Sequence, residues 1–225
     1  MTGVSTSLLR LLQLSSPSLP VGAYAYSQGL ESAVELGWVR DEASLSEWVE
    51  EQLVHAFGVV DLPIFVRAHR AASRGDVADL RRWSRRLIAC RETRELVEDD
   101  RDRGRALARL LTDLGHEDVR SWISDPDVAF APMAAIASVH WGIHLAPALQ
   151  AHAWGWLENQ VLAGVKLVPL GQVAGQRLLL HLTRRVPALC EQVRRSGDDE
   201  IGGTLPVVAL ASGLHETQYS RLYRS

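Results

Sequence analysis

An all-α protein is expected from this chain on three grounds. Apolar residues return every three or four positions along most of its 225 residues, while sustained period-two alternation between turn residues is hard to find. Glycine, proline and capping residues punctuate the chain at helical lengths. With 47% of residues hydrophobic, it can bury one substantial core, which favours a single domain, residues 1–225, of about ten helices with a flexible N-terminal segment and a C-terminal tail.

Leu8, Leu9, Leu11 and Leu12 make a short first helix. In LPVGAYAYSQGLE (19–31), Pro20 and Gly22 break regular structure, and Ser27 then stands as an N-cap with Glu31 in the opening turn, where a carboxylate suits the helix dipole. That second helix runs from Gly29 to Leu36 and stops at Gly37. Ser44 with Glu47 reads as a capping box for a third, running toward His55. A fourth begins near Leu62-Pro63 and ends at Gly75; Asp76 caps the next, which carries Leu80, Trp83, Leu87 and Ile88 on one side. Asp125-Pro126 and Ala131-Pro132 read as helix starts. No Asp, Glu, Lys or Arg lies between Val128 and Leu157, but Pro132, Pro147, Gln150 and three histidines interrupt the stretch, so two buried helices joined near Leu145 to Pro147 fit better than a bilayer span. The helix from Pro147 through Trp154, Trp156 and Leu157 toward Lys166 is expected to be the central one, because its polar residues are few and its aromatics large. Leu170-Gly171 punctuates it, Gln172 to Arg184 follows, SGDDE (196–200) is a solvated turn, and Pro206 to Leu214 is the last helix before the tail HETQYSRLYRS (215–225).

Composition excludes several functions. A formal charge of -3 and a pI near 6.2 give no general pull toward nucleic acid or an anionic membrane. Lys166 is the only lysine and no Walker-A string surrounds it, which removes that mode of nucleotide binding. Cys90 and Cys190 have neither zinc-ligand nor disulfide-framework spacing and read as thiols in a reducing compartment. The N-terminal apolar stretch is interrupted by Arg10 and has no signal-peptide organisation, so a cytoplasmic location is expected. From Arg81 to Arg109, ten arginines stand among six acids. This stretch, with its core at 97–105, reads as a solvated, ion-paired helical face or a protein-partner surface; the interleaved acids repel phosphate.

Signs of catalysis are absent: there is no Gly-x-Ser-x-Gly elbow and no cysteine with a neighbouring base, so no catalytic residue and no cofactor are assigned. His140 and His144 stand i,i+4 in HWGIH, with His152 eight positions on, which makes these three the alternative of a metal-binding protein or metal-dependent enzyme. Lys166 is either a lysine snorkelling from an apolar stretch or an exposed anchor for an acidic partner. In the tail, Tyr219 and Tyr223 alternate with Arg221 and Arg224; it has too little apolar surface to fold alone, and tyrosine and arginine are interface residues, so it reads as a segment that orders on binding.

Three strings, LPVGAYAYSQGLE, WLENQVLAGVKLVPLGQVAGQ (156–176) and HETQYSRLYRS, with CRETREL (90–96), closely resemble the urease accessory protein UreF family. The resemblance implies an all-α, non-enzymatic scaffold that dimerises, joins the accessory protein UreD (also called UreH) to the GTPase UreG, and takes part in nickel delivery to apo-urease; the histidines of HWGIH are not a general metal site of that family, and no metal residue is assigned. It also implies that Tyr24 in the N-terminal loop and Arg221 in the tail matter for complex formation and that Glu31 and Lys166 match positions linked to the GTPase; Tyr219 and Tyr223 join them as partner-binding candidates on the composition of the tail. The string VEDDRDRG (97–104) departs from the family pattern, so no contact is carried over there.

Overall fold

The computed structural model describes residues 6–224, and among these every regular element is helical. Eleven α-helices follow one another: α1 (Thr6–Leu14), α2 (Leu30–Glu35), α3 (Glu42–Gln52), α4 (Asp61–Ser73), α5 (Val77–Ala89), α6 (Arg94–Asp113), α7 (Phe130–His140), α8 (Leu145–Leu167), α9 (Gln172–Leu182), α10 (Val186–Arg195) and α11 (Pro206–His215). A π-helical turn, Leu53–Phe57, extends α3, and a 3-10 segment, Glu117–Ser124, links α6 to α7. Part of the expected flexible N-terminal segment, residues 1–5, lies outside the described residues.

One continuous core contains side chains from almost every helix. Its densest packing is α4 on α7, and α8, the helix expected at the centre, packs beside them against α4, α7, α9 and α10. In α4, Leu62, Ile64, Phe65, Val66 and Ala68 are fully buried, and in α7 so are Met133, Ala135 and Ala137. A helix that is apolar all round belongs in the interior, and the alanines of α7 let α4 approach closely. In α8, Trp154 is half-exposed, while a stripe through Leu149, Ala153, Trp156, Leu157, Gln160 and Val161 is buried.

Other differences are local. The capping box of α3 is Asp41 with Ser44, one turn before the expected pair: Asp41 accepts from Ser44 N at 2.8 Å. The stretch 81–109 is two helices, because the chain leaves α5 at Cys90 and Thr93 caps α6, accepting from Leu96 N at 3.3 Å. The turn at 196–200 is not wholly solvated: buried Arg67 reaches into it and donates to Asp198 at 3.0 Å. No helix among the described residues is long and apolar enough to cross a membrane.

Candidate functional site

The N-terminal loop and the C-terminal tail meet on one face, and buried carboxylates join them. Glu31, in the first turn of α2, is nearly enclosed and must be paired, since an unpaired buried carboxylate is costly. Its oxygens accept from Leu222 N at 2.6 Å and Tyr223 N at 2.8 Å, both tail backbone groups, and Oε2 lies 3.1 Å from His215 Nε2. Glu95, in the first turn of α6, holds the other side: Oε2 is 2.7 Å from His215 Nδ1, and Oε1 accepts from Arg221 at 3.0 Å. His215, the last residue of α11, is fully buried between the two glutamates, and satisfying both at once takes both ring N–H donors. Two helix N-termini bearing acids thus face one helix C-terminus bearing an imidazole, the arrangement the helix dipoles favour.

Further bonds extend this latch. Ser32 donates to Gln218 at 2.9 Å, and Arg224 N donates to Ala25 O at 2.8 Å, pairing tail with loop. Tyr26 donates to Asp102 at 3.0 Å, and burial pushes its phenol up to about 12. The tail therefore lies on the body, although its small apolar surface predicts a segment that orders on binding. Polar anchors from α2 and α6 replace the missing apolar area. The approach is close: Gly29 opens α2 at φ 85°, and a Cβ there would meet Ser212 N of α11 at 3.1 Å and Val208 O at 3.3 Å.

Behind the latch, α6 turns its acids inward. Asp99 and Asp100 are buried; Arg103 binds Asp99, and Arg91 bridges Asp100 and Asp61 of α4. Asp100 also accepts from Phe130 N at 3.2 Å, tying α6 to the start of α7. Burial raises the Asp61 and Asp99 carboxyls above their ordinary value in spite of the neighbouring guanidiniums. The reading of this stretch as a solvated face is corrected on that point: its outer acids are solvated, but these ion pairs are structural. Gln28 connects the network to the loop. Its backbone sits at φ 54°, unfavourable for a residue with a side chain. Three side-chain bonds hold it there: its amide donates to Asp99 at 2.7 Å and accepts from Trp156 at 2.9 Å and Gln160 at 3.0 Å.

A cleft of about 150 Å³ opens beside the loop. Phe57, Phe65, Phe130, His152 and Trp156 line its apolar part, Asp61, Asp100 and Arg103 its polar part, and Tyr24, Lys166 and Tyr223 also border it. Tyr24 is exposed, Lys166 is exposed in the last turn of α8, and Tyr223 is buried. The six sequence candidates therefore fall into two overlapping groups, Glu31, Arg221 and Tyr223 at the latch and Tyr24, Lys166 and Tyr223 at the cleft, with Tyr219 fully exposed between helix α11 and the latch.

The set His140, His144 and His152 does not form. His152 is enclosed by aromatic rings, 4.7 Å from Phe65 and 5.4 Å from Phe57, and burial pushes it down to about 3. His140 ends α7, and His144 caps α8 beyond the break at Trp141-Gly142, so the i,i+4 spacing is not carried by one helix. Sequence reasoning missed Gln28, Arg91, Glu95, Asp99, Asp100 and His215. One signal for the acids was present: Leu96, Asp99, Asp100, Arg103, Leu107 and Leu111 share the three-and-four spacing of a single inward stripe.

A family model described as UreF matches residues 39–183. The chain is 51% identical over 216 residues to the urease accessory protein UreF of Alkalilimnicola ehrlichii, covering 96% of this chain and 95% of that protein. It is 48% identical over 219 residues to that of Pseudomonas putida strain W619, covering 97% and 98%, and 46% identical over 217 residues to that of Klebsiella pneumoniae subsp. pneumoniae, covering 96% and 97%.

Proposed function

The chain belongs to the UreF family of urease accessory proteins, and from that premise we propose that it is a non-enzymatic scaffold of urease maturation. It joins UreD (UreH) to the GTPase UreG in the cytoplasm, in the complex that supplies nickel to apo-urease. The observation that carries this reading is the loop-and-tail face, where an exposed tyrosine, the only lysine and an arginine-tyrosine tail are mounted on a buried support in which Glu31 and Glu95 are paired with His215 and the tail. Such a face suits binding: rigid aromatic and arginine anchors lose little freedom on association. Tyr24, Lys166, Arg221 and Tyr219 are the contact residues in this proposal. Glu31 and Tyr223 are buried and act by holding them.

Self-association is the second part of the reading. Leu8, Leu9 and Leu12 of α1 and Val173 and Leu180 of α9 are exposed, and apolar surface of this kind supports burial in a symmetric dimer. Size-exclusion chromatography with light scattering tests both parts. The chain alone is expected at twice 24.8 kDa, and mixed with UreD and GTP-loaded UreG it is expected in one larger species containing all three. A monomer at micromolar concentration overturns the dimer, and elution apart from both partners overturns the scaffold. GTP hydrolysis by the purified chain alone would overturn the non-enzymatic assignment.

A further inference from the structure

We propose that His116, Asp118 and His140 form a surface site for one divalent transition-metal ion of the nickel–zinc class. One ligand atom from each of the three lies within 4.8 Å of the others, the only such group of His, Cys, Asp or Glu found among the described residues. The imidazoles lie ring against ring, centroids 4.5 Å apart and planes inclined by 32°, and His140 Nε2 is 3.1 Å from Asp118 Oδ2. Ligand atoms about 2.0 to 2.2 Å from one ion in tetrahedral arrangement stand ~3.4 Å from each other, close to the His140–Asp118 separation. The other two separations are no greater than 4.8 Å, and the Asp118 side chain, 66% exposed, lies outside the core.

The backbone brings these residues together. Gly115, at φ 95°, turns the chain out of α6, which places His116 and Asp118 at the start of the 3-10 segment beside His140, the last residue of α7. Two helix C-termini, α6 and α7, point to the same spot, and their partial negative charge favours a cation. His140 Nδ1 is buried without a hydrogen-bond partner, so Nε2 is the nitrogen that faces Asp118 and the outside. Two imidazoles and one carboxylate suit nickel or zinc more than magnesium or calcium, which prefer all-oxygen shells. Three protein ligands leave positions for water, the mark of an exchangeable site and not of a closed structural one.

The site does not rest on the scaffold reading, since it needs no partner. The test is isothermal titration of the full chain, tag removed and stripped with chelator, with NiCl2 and with ZnCl2. One ion per chain is expected with at least one of the two metals. His116→Asn, at a half-buried position, and Asp118→Asn, at an exposed one, both checked for unchanged helicity, are each expected to weaken it about tenfold or more, given that even outer-shell changes weaken metal sites by ~10- to 100-fold. His144→Asn is expected to bind like the wild type. Absence of saturable binding of either metal overturns the proposal. So does wild-type affinity in His116→Asn, which leaves Asp118 and His140 an ordinary ion pair.

Discussion

Glu31 shows why single residues carry so much in this protein. A carboxylate with backbone N–H groups on both oxygens and an imidazole beside it cannot be exchanged for an apolar residue without leaving those donors unpaired. His152 is the opposite case, a polar ring kept uncharged in an aromatic cage. Its ordinary value of 6.5 falls to about 3 through burial, so below pH 6.5 the unfolded chain takes a proton that the folded chain refuses. Stability is therefore complete above that pH and declines as the pH drops toward 3. Between pH 7 and 5 this amounts to about 2 kcal/mol. Asp61 and Asp99, raised by burial, pull the other way within the carboxylate range. His152→Phe removes only the histidine contribution, so urea unfolding at the two pH values should show the variant losing about 2 kcal/mol less than the wild type. Parallel pH profiles would contradict the account of the cage.

At the scale of elements, α6 carries two tasks, core packing through Leu107 and Leu111 and support of the latch through Glu95 and Asp99. Its contact with the start of α7 is tight: a Cβ on Gly104 would stand 2.9 Å from the carbonyl carbon of Ala129 and 3.1 Å from Val128 Cγ2. Gly104→Ala should cost ~1 to 3 kcal/mol, since backbone cannot yield as a side chain does. Gly155→Ala in α8, where a Cβ meets nothing within 4 Å, should stabilise by up to ~1 kcal/mol. Thermal denaturation of the two variants reads both signs. Helix existence was legible from apolar spacing and from Gly37, Gly75, Asp76 and Pro206, all local signals. What was not legible depends on distant partners. The inward acids of α6 look like surface until Arg91, Gln28 and Arg103 are brought to them, and the tail looks unanchored until α2 and α6 supply Glu31 and Glu95. The loop, Lys166 and the tail were found through three distinctive strings, and the fold brings Tyr24, Lys166 and Tyr223 to one cleft.

Across the whole molecule, the loop before α2 and the C-terminal tail close on each other, so segments far apart in the sequence form one face on a helical body in which α4 packs against α7. Membership of the UreF family, over nearly the full length of its relatives, gives that face its proposed use in urease maturation. The central claim is tested most directly in cells that produce urease and its other accessory proteins but lack a UreF, fed nickel and supplied with this chain. Urease activity should return with the wild type. It should fall about 5-fold or more with Arg221→Ala at equal soluble level, the consequence of losing ~1 to 3 kcal/mol at an interface anchor. Soluble, helical wild-type protein that restores no activity would contradict the scaffold account, and full activity with Arg221→Ala would contradict the role given to the tail.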